Sequence, residues 1–323
     1  MGGRKQITLS RFRPAAPQQR CTALLLAVAV ACGGATSGTP QLPAGGTWRS
    51  LSPMPEARQE VATAVLGGKV FVIAGFDSGG ESTDSVFAYD PSSNSWTRAA
   101  RLPIVNDHPG AAVVSGRLFA FGGRSRRVFA YDGGRDAWSE VASMSFQHGS
   151  TPAVGVLDGR IYVAGGEGGM MGNELESYDP AANRWTTLAP MSVARNHVAG
   201  QFIGGRFYVV GGRPGVAAAS ALESYDPQAN TWTTLPSMPT GRSGLAAAAV
   251  NGRLYVLGGE GSRIFGDVEV FDPATNTWSK LAGMRTPRHG LYASVIGSNI
   301  YLPGGATRPG FATTDINEVF AVD

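Results

Sequence analysis

The chain has only four histidines, His108, His148, His197 and His289, and each stands ten to twelve residues after a tryptophan. Ten residues after the six tryptophans come, in turn, Arg58, Asn106, His148, Arg195, Arg242 and Arg288. The two positions that follow hold Gln59-Glu60, Asp107-His108, Gly149-Ser150, Asn196-His197, Ser243-Gly244 and His289-Gly290. A second window, just after a recurring glycine doublet, holds Phe76, Arg124, Glu167, Arg213, Glu260 and Ala306. Guanidinium and imidazole groups gathered in this way suit a carboxylate-bearing ligand, and a glutamate beside an arginine suits acid–base work. The ligand-binding candidates are therefore Arg58, His108, Arg124, His148, Glu167, Arg195, His197, Arg213, Arg242, Glu260, Arg288 and His289.

Other chemistries find less support. The histidines come from four separate segments with no local spacing of the HxxxH kind, and residues 47–323 hold no cysteine, so neither a metal nor a cofactor is expected. The glycine doublets do not form G-x-G-x-x-G at the head of a helix, and no serine sits in G-x-S-x-G. No catalytic residue is assigned. The loop GEGGMMGN (166–173) carries Met170 and Met171, either packed locally or offered to a partner as a soft contact.

What must position these side chains is a repeat. Trp48, Trp96, Trp138, Trp185, Trp232 and Trp278 are spaced 48, 42, 47, 47 and 46 residues apart. From each tryptophan to the second residue of the next Gly-Gly or Ala-Gly pair the count is 27, 27, 28, 27, 27 and 27. An aspartate stands six residues before each later tryptophan, at Asp90, Asp132, Asp179, Asp226 and Asp272. A fixed period of this length marks a repeat architecture. Runs such as RFYVVGG (206–212) and RLYVLGG (253–259) are short apolar strands of the kind buried on both faces. Asp-Pro-x-x-Asn, as in DPAAN and DPQAN, is turn chemistry.

The order of hydrophobic strand, Gly-Gly, Tyr-Asp, Trp and Met-x-x-x-Arg over residues 47–323 resembles the kelch repeat family. The resemblance implies an all-β, six-bladed propeller of four-stranded antiparallel blades. The opening TWRSLSPM (47–54) resembles an outermost strand, and INEVFAVD (316–323) aligns with DSVFAYD (84–90). The N-terminal strand should therefore complete the last blade.

Two-residue turns such as Asn251-Gly252 keep one face minimal, whereas the loops after the glycine doublets run 14, 8, 12, 13, 12 and 17 residues to the tyrosine position. Variable loops on a rigid scaffold are where binding resides, so function is expected on that second face. Kelch-type repeats also use arginine and histidine here to bond loop carbonyls and neighbouring blades, and that alternative stands beside the binding one. Some kelch propellers are sugar mutarotases or epimerases, for which Glu167, Glu260 or Glu60 with Arg195, Arg213 or Arg242 would supply the pair. Galactose oxidase, also kelch-like, needs a cysteine crosslinked to tyrosine, which residues 47–323 do not offer.

The N-terminus reads as a leader. Residues 1–31 carry Arg4, Lys5, Arg11, Arg13 and Arg20 and no acidic residue, so the net +3 becomes +3 − 5 = −2 over 32–323, and nucleic-acid binding is not expected. CTALLLAVAVAC (21–32) is an apolar run followed by small residues, as in a secretory signal. Ala29-Val30-Ala31 is a signal-peptidase site, and with Cys32 it also resembles a bacterial lipobox, with Gly33 pointing to outer-membrane sorting. Lipidation of Cys32 would anchor the chain and spare it a lone thiol. The expected organisation is a signal peptide over 1–31, a tether over 32–46 and a propeller over 47–323. The expected product is a monomeric binding or scaffold module at the cell envelope, periplasmic or at the surface, for a protein or carbohydrate ligand.

Overall fold

A computed structural model describes residues 45–167 and 172–323. Cys32, Met170 and Met171 lie outside the described residues. Six four-stranded antiparallel sheets follow one another along the chain. Blade one is built from Ala62–Leu66, Lys69–Ile73, Val86–Asp90 and Ser95–Ala99. Blades two to six open with Pro109–Val114, Ala153–Leu157, Ala199–Ile203, Ala246–Val250 and Ser294–Ile296. These six innermost strands line a central channel of about 290 Å³, with Thr63, Val113, Val156, Gln201, Ala249 and Val295 among its walls.

The second strand of each blade is buried nearly end to end, as Lys69–Ile73 shows, because neighbouring blades cover both of its faces. Phe71, Ile73 and Val86 of blade one thus pack against Leu118, Ala120 and Phe129 of blade two. The turns between first and second strands are left-handed at both residues: Asn251 and Gly252 have φ of 50° and 73°. Those are the angles of a two-residue type I′ hairpin.

The tryptophan does more than fill space. Each indole N–H donates to a backbone carbonyl four residues after the tryptophan of the preceding blade: Trp138 to Ala100 at 2.8 Å, Trp185 to Ala142 at 2.8 Å, Trp232 to Ala189 at 2.7 Å. The asparagine of the Asp-Pro turn adds a second stitch. Asn183 Oδ1 accepts the Tyr178 hydroxyl of its own blade and the Ala142 N–H of the blade before. One sequence phrase therefore encodes both the blade and its seam.

The strand Gly46–Ser50 pairs with Asn317–Val322 and completes blade six, as expected from the two ends. Its indole reaches back to Ala282 of blade five at 3.4 Å. The register differs from the sequence alignment. VFAVD looks like VFAYD, yet Phe320, not Val322, stands opposite Trp48, where tyrosine stands opposite Trp96. The last long loop is thus 15 residues from Gly305 to that position, not 17. The reason is electrostatic as well as apolar: this register puts Glu318 beside Arg288 inside the blade.

Candidate functional site

The residue ten places after each tryptophan sits at the entry to a blade and turns inward. Arg195, Arg242 and Arg288 are each at most 1% exposed. They pair with Glu223 at 3.0 Å, Glu269 at 2.5 Å and Glu318 at 2.8 Å, all on the third strand of the same blade. His148 does the same with Glu176 at 3.2 Å. The second carboxylate oxygen bonds the incoming chain, as Ser192 N–H to Glu223 at 2.9 Å shows. Blade one has Phe87 at this position, so Arg58 turns to Glu56 and Ser85 instead. Arg58, His148, Arg195, Arg242 and Arg288 are thus buried and engaged by the scaffold, with Arg242 also in the wall of a cleft. The extra residue of blade three does not displace His148 either: Gly149 bridges Glu167 as Asn196 bridges Arg213, and the insertion is absorbed at Ser150 and Thr151.

Two positions further on, the chain forms a nearly complete ring, open between His108 and Ser150. Backbone N–H groups donate in turn, His197 to the Ser150 carbonyl at 2.7 Å, Gly244 to His197 at 3.0 Å, Gly290 to Gly244 at 2.9 Å, Glu60 to Gly290 at 2.7 Å and His108 to Glu60 at 2.9 Å. Every member is left-handed, from φ 51° at His197 to 62° at Gly290. Such a conformation suits glycine, and side chains there store strain. Glu60, His108 and His197 nevertheless occupy it. The ring caps the channel, and just beneath it the Tyr292 hydroxyl crosses from blade six to the Pro152 carbonyl of blade three.

Glu60 lies at the centre of this cap, 4% exposed. His108 Nε2 is 3.4 Å from its Oε2, Thr151 donates to the same oxygen at 3.1 Å, and His289 Nδ1 is 3.9 Å from Oε1. The His108 and His197 rings are 5.0 Å apart, edge to face. Burial lowers the His108 pKa, but the Glu60 and Asp107 carboxylates outweigh it and hold the imidazole above its ordinary value. Burial would raise Glu60, and the histidines around it, His108 first, bring it below the usual carboxylate range. His197 is pushed down to about 3 by burial, with Arg213 adding to the effect, and is neutral. Glu60, His108 and His197 offer ligand atoms within 4.8 Å of one another, a set able to hold a metal ion. The expectation of no metal rests on linear spacing, whereas the ring supplies the proximity in space.

Outside the cap the remaining candidates line two clefts. One, of about 390 Å³, lies between blades two and three and is lined by Asp107, His108, Arg124, Gln147, Ser150 and Glu167. The other, of about 450 Å³, is lined by Arg213, Ser243 and Glu260 with Gly310 of blade six. The six-residue helix Gly215–Ser220 in the long loop of blade four forms part of its wall through Ala219. Arg124 is 60% exposed and 3.2 Å from Asp107; Arg213 is 46% exposed and 3.1 Å from Glu260. Glu167 accepts from Ser150 at 2.9 Å and from Asn196 at 2.6 Å. Asp107 and Asn196, which sequence reasoning left out of the candidate set, belong to this face, as does Glu60, which it weighed only as half of an acid–base pair. A shared window with the histidines is the signal that could have found all three.

The sequence matches the model of the KLHDC2/KLHL20/DRC7 Kelch-repeats domain over residues 45–199 and 189–305. Kelch-like protein 35 of Mus musculus is 32% identical over 124 residues, 38% of this chain and 21% of that protein. Kelch-like protein terF of Aspergillus terreus is 31% identical over 149 residues, 40% of this chain and 32% of that protein. The chain thus spans about a fifth to a third of the curated relatives it matches. Among solved structures, that of YjhT superposes with a TM-score of 0.72 at 18% identity, over 82% of this chain and 95% of that one, a likeness of fold. With the repeat stitched at every tryptophan and the match running through most of its length, the chain belongs to the kelch-repeat family.

Proposed function

We propose that this propeller is a binding module that seats a carboxylate-bearing ligand on its loop face, the carboxylates meeting Arg124 and Arg213. The observation that carries the reading is the division of labour among the charged residues. The scaffold buries Arg195, Arg242 and Arg288 and leaves Arg124 and Arg213 half exposed, each in its own cleft beside the cap. Their ion pairs with Asp107 and Glu260 are partly solvated, and such pairs contribute only about 0–1 kcal/mol, so a ligand can displace them. Acidic side chains of a protein and acidic sugars share the required chemistry. The leader and Cys32 support placing the chain outside the cytoplasmic membrane, secreted or lipid-anchored.

Titrating the purified chain with an acidic peptide, a uronic acid and a sialic acid, followed by NMR, tests the reading and separates its two sources. Arg124→Glu with Arg213→Glu should abolish the response. An undiminished response in that double variant would remove the loop face as the site.

A second reading has its own observation. Glu260 and Arg213 meet at 3.1 Å in the larger cleft, and Glu260 also accepts from Gly310 N–H at 3.1 Å. A carboxylate held in this way beside a guanidinium can shuttle a proton during sugar ring opening. Anomeric exchange accelerated by the chain and lost in Glu260→Gln would favour a mutarotase or epimerase over a pure binding module.

A further inference from the structure

We infer that the axial cap is a site for one divalent transition-metal ion, with Glu60, His108 and His197 as its protein ligands. The inference goes beyond the loop-face reading, since it needs no bound carboxylate. It is tested with the metal alone, so either can fail without the other.

The tautomers of both histidines are set by their neighbours. Asp107 Oδ1 lies 2.7 Å from His108 Nδ1, and a carboxylate only accepts, so Nδ1 carries a proton while Nε2 points at Glu60. Arg213 Nη2 lies 2.7 Å from His197 Nε2, and a guanidinium only donates, so Nε2 is the lone pair and Nδ1–H donates to Asn196 Oδ1 at 2.6 Å. Both imidazoles therefore have the outer hydrogen bond that metal-binding histidines use to fix ring orientation. Two nitrogen donors and a carboxylate then converge on one volume.

An independent observation points to a cation. His289 Nε2–H donates to the Arg308 carbonyl at 3.0 Å, which aims Nδ1 at the cap. That Nδ1 has no hydrogen-bond partner among the described residues although His289 is 1% exposed, and it faces Glu60 Oε1 at 3.9 Å and Glu260 Oε2 at 3.6 Å. A buried nitrogen without a partner, aimed at the Glu60 carboxylate, is costly, and an ion or an ion-bound water there gives it one.

The backbone agrees. Gly244 and Gly290 fill the ring position in two blades at φ 60° and 62°, without strain. Of the four ring positions that accept the left-handed conformation with a side chain, Ser150 bonds Glu167 and the other three, Glu60, His108 and His197, are ligand types. Two imidazoles with one carboxylate select Zn²⁺, Co²⁺, Ni²⁺, Cu²⁺ or Fe²⁺ over Mg²⁺ and Ca²⁺, which require oxygen shells. Zinc bonds of about 2.0–2.1 Å require the three side chains to close inward slightly. The ion also displaces Arg213 from His197 Nε2, and Arg213 retains Glu260 as its partner.

The test uses the full chain, stripped with a chelator and titrated with Co²⁺ by visible absorption and with Zn²⁺ by calorimetry. One ion per chain is expected. His108→Gly and His197→Gly keep the fold, because glycine already holds this position in two blades, and circular dichroism verifies it. Each should weaken binding by at least about 100-fold, Asp107→Asn by about 10- to 100-fold, and Arg213→Gln should strengthen it. Two outcomes overturn the inference. One is stoichiometric binding unchanged in both glycine variants, which would place the ion elsewhere, for example on Cys21 and Cys32. The other is no response to either ion from the folded chain.

Discussion

Arg195 and Glu223 lie 3.0 Å apart with side chains 0% and 1% exposed, one at the entry to a blade and the other on its third strand. The Arg195 guanidinium also donates to the carbonyls of Val209 at 3.2 Å and Ala221 at 3.0 Å, so one residue fastens three chain segments. Burial lowers its pKa to about 10, which leaves it charged at neutral pH. Arg195→Met strands a buried carboxylate and should cost about 3–5 kcal/mol, read as a drop in the denaturant midpoint. Arg195→Met with Glu223→Leu should recover much of that loss. A single variant as stable as the parent would mean that the pair is not what fastens the blade.

Closure of the ring rests on one five-residue strand. Removing residues 1–50 deletes Gly46–Ser50, exposes the edge of Asn317–Val322 and strips the indole of Trp48 from Ala282. Unpaired edges aggregate. The truncated chain should lose its single cooperative melting transition and self-associate on size-exclusion chromatography. Trp48→Phe, which removes the hydrogen bond and part of the packing on Phe320 but keeps the strand, should cost about 1–3 kcal/mol and keep the transition cooperative.

Two neighbouring glycines separate strain from collision. Gly116 in a hairpin turn has φ 73° and open space around an added Cβ, so Gly116→Ala should cost only the left-handed penalty, about 1–2 kcal/mol. Gly123, at the end of the glycine doublet, has φ 64°, and a Cβ there would lie 2.3 Å from both the Asp107 carbonyl and Asn106 Oδ1. Gly123→Ala should therefore cost clearly more and disturb the cleft that holds Arg124. Equal melting temperatures for the two variants would contradict this account.

The blade plan was legible because it is written in short-range phrases: Asp-Pro-x-x-Asn closes its own turn, and each later tryptophan stands six residues after its aspartate. The role of the arginine column was not, although half of it was in view. The glutamate of ESYDP, two residues before the tyrosine, is the partner of that arginine, but only the pairing of first, second and third strands brings Glu223 to Arg195 or Glu269 to Arg242. The same column explains the C-terminal register, since Glu318 must reach Arg288 whatever VFAVD resembles. The window of histidines marked the right face. What linear spacing did not reveal was that His108 and His197, from blades two and four, touch across the axis.

Glu176 makes the third blade sensitive to acid. Burial would raise its pKa, but the His148 imidazole and the N–H groups of Phe146 and Ser145 outweigh that and hold it below the ordinary glutamate value. A carboxyl more acidic in the folded than in the unfolded chain binds fewer protons when folded, so stability rises with pH through that window. Its contribution is complete above about pH 4.5 and falls away as pH drops through the folded pKa. Glu176→Gln keeps the shape, cannot ionise, and places an NH₂ against a backbone N–H, which should cost about 1–3 kcal/mol at neutral pH. The stability gap between parent and variant, measured by denaturant unfolding from pH 7 to pH 3, should narrow below pH 4.5. A gap that stays constant across that range would show that Glu176 titrates alike in both states.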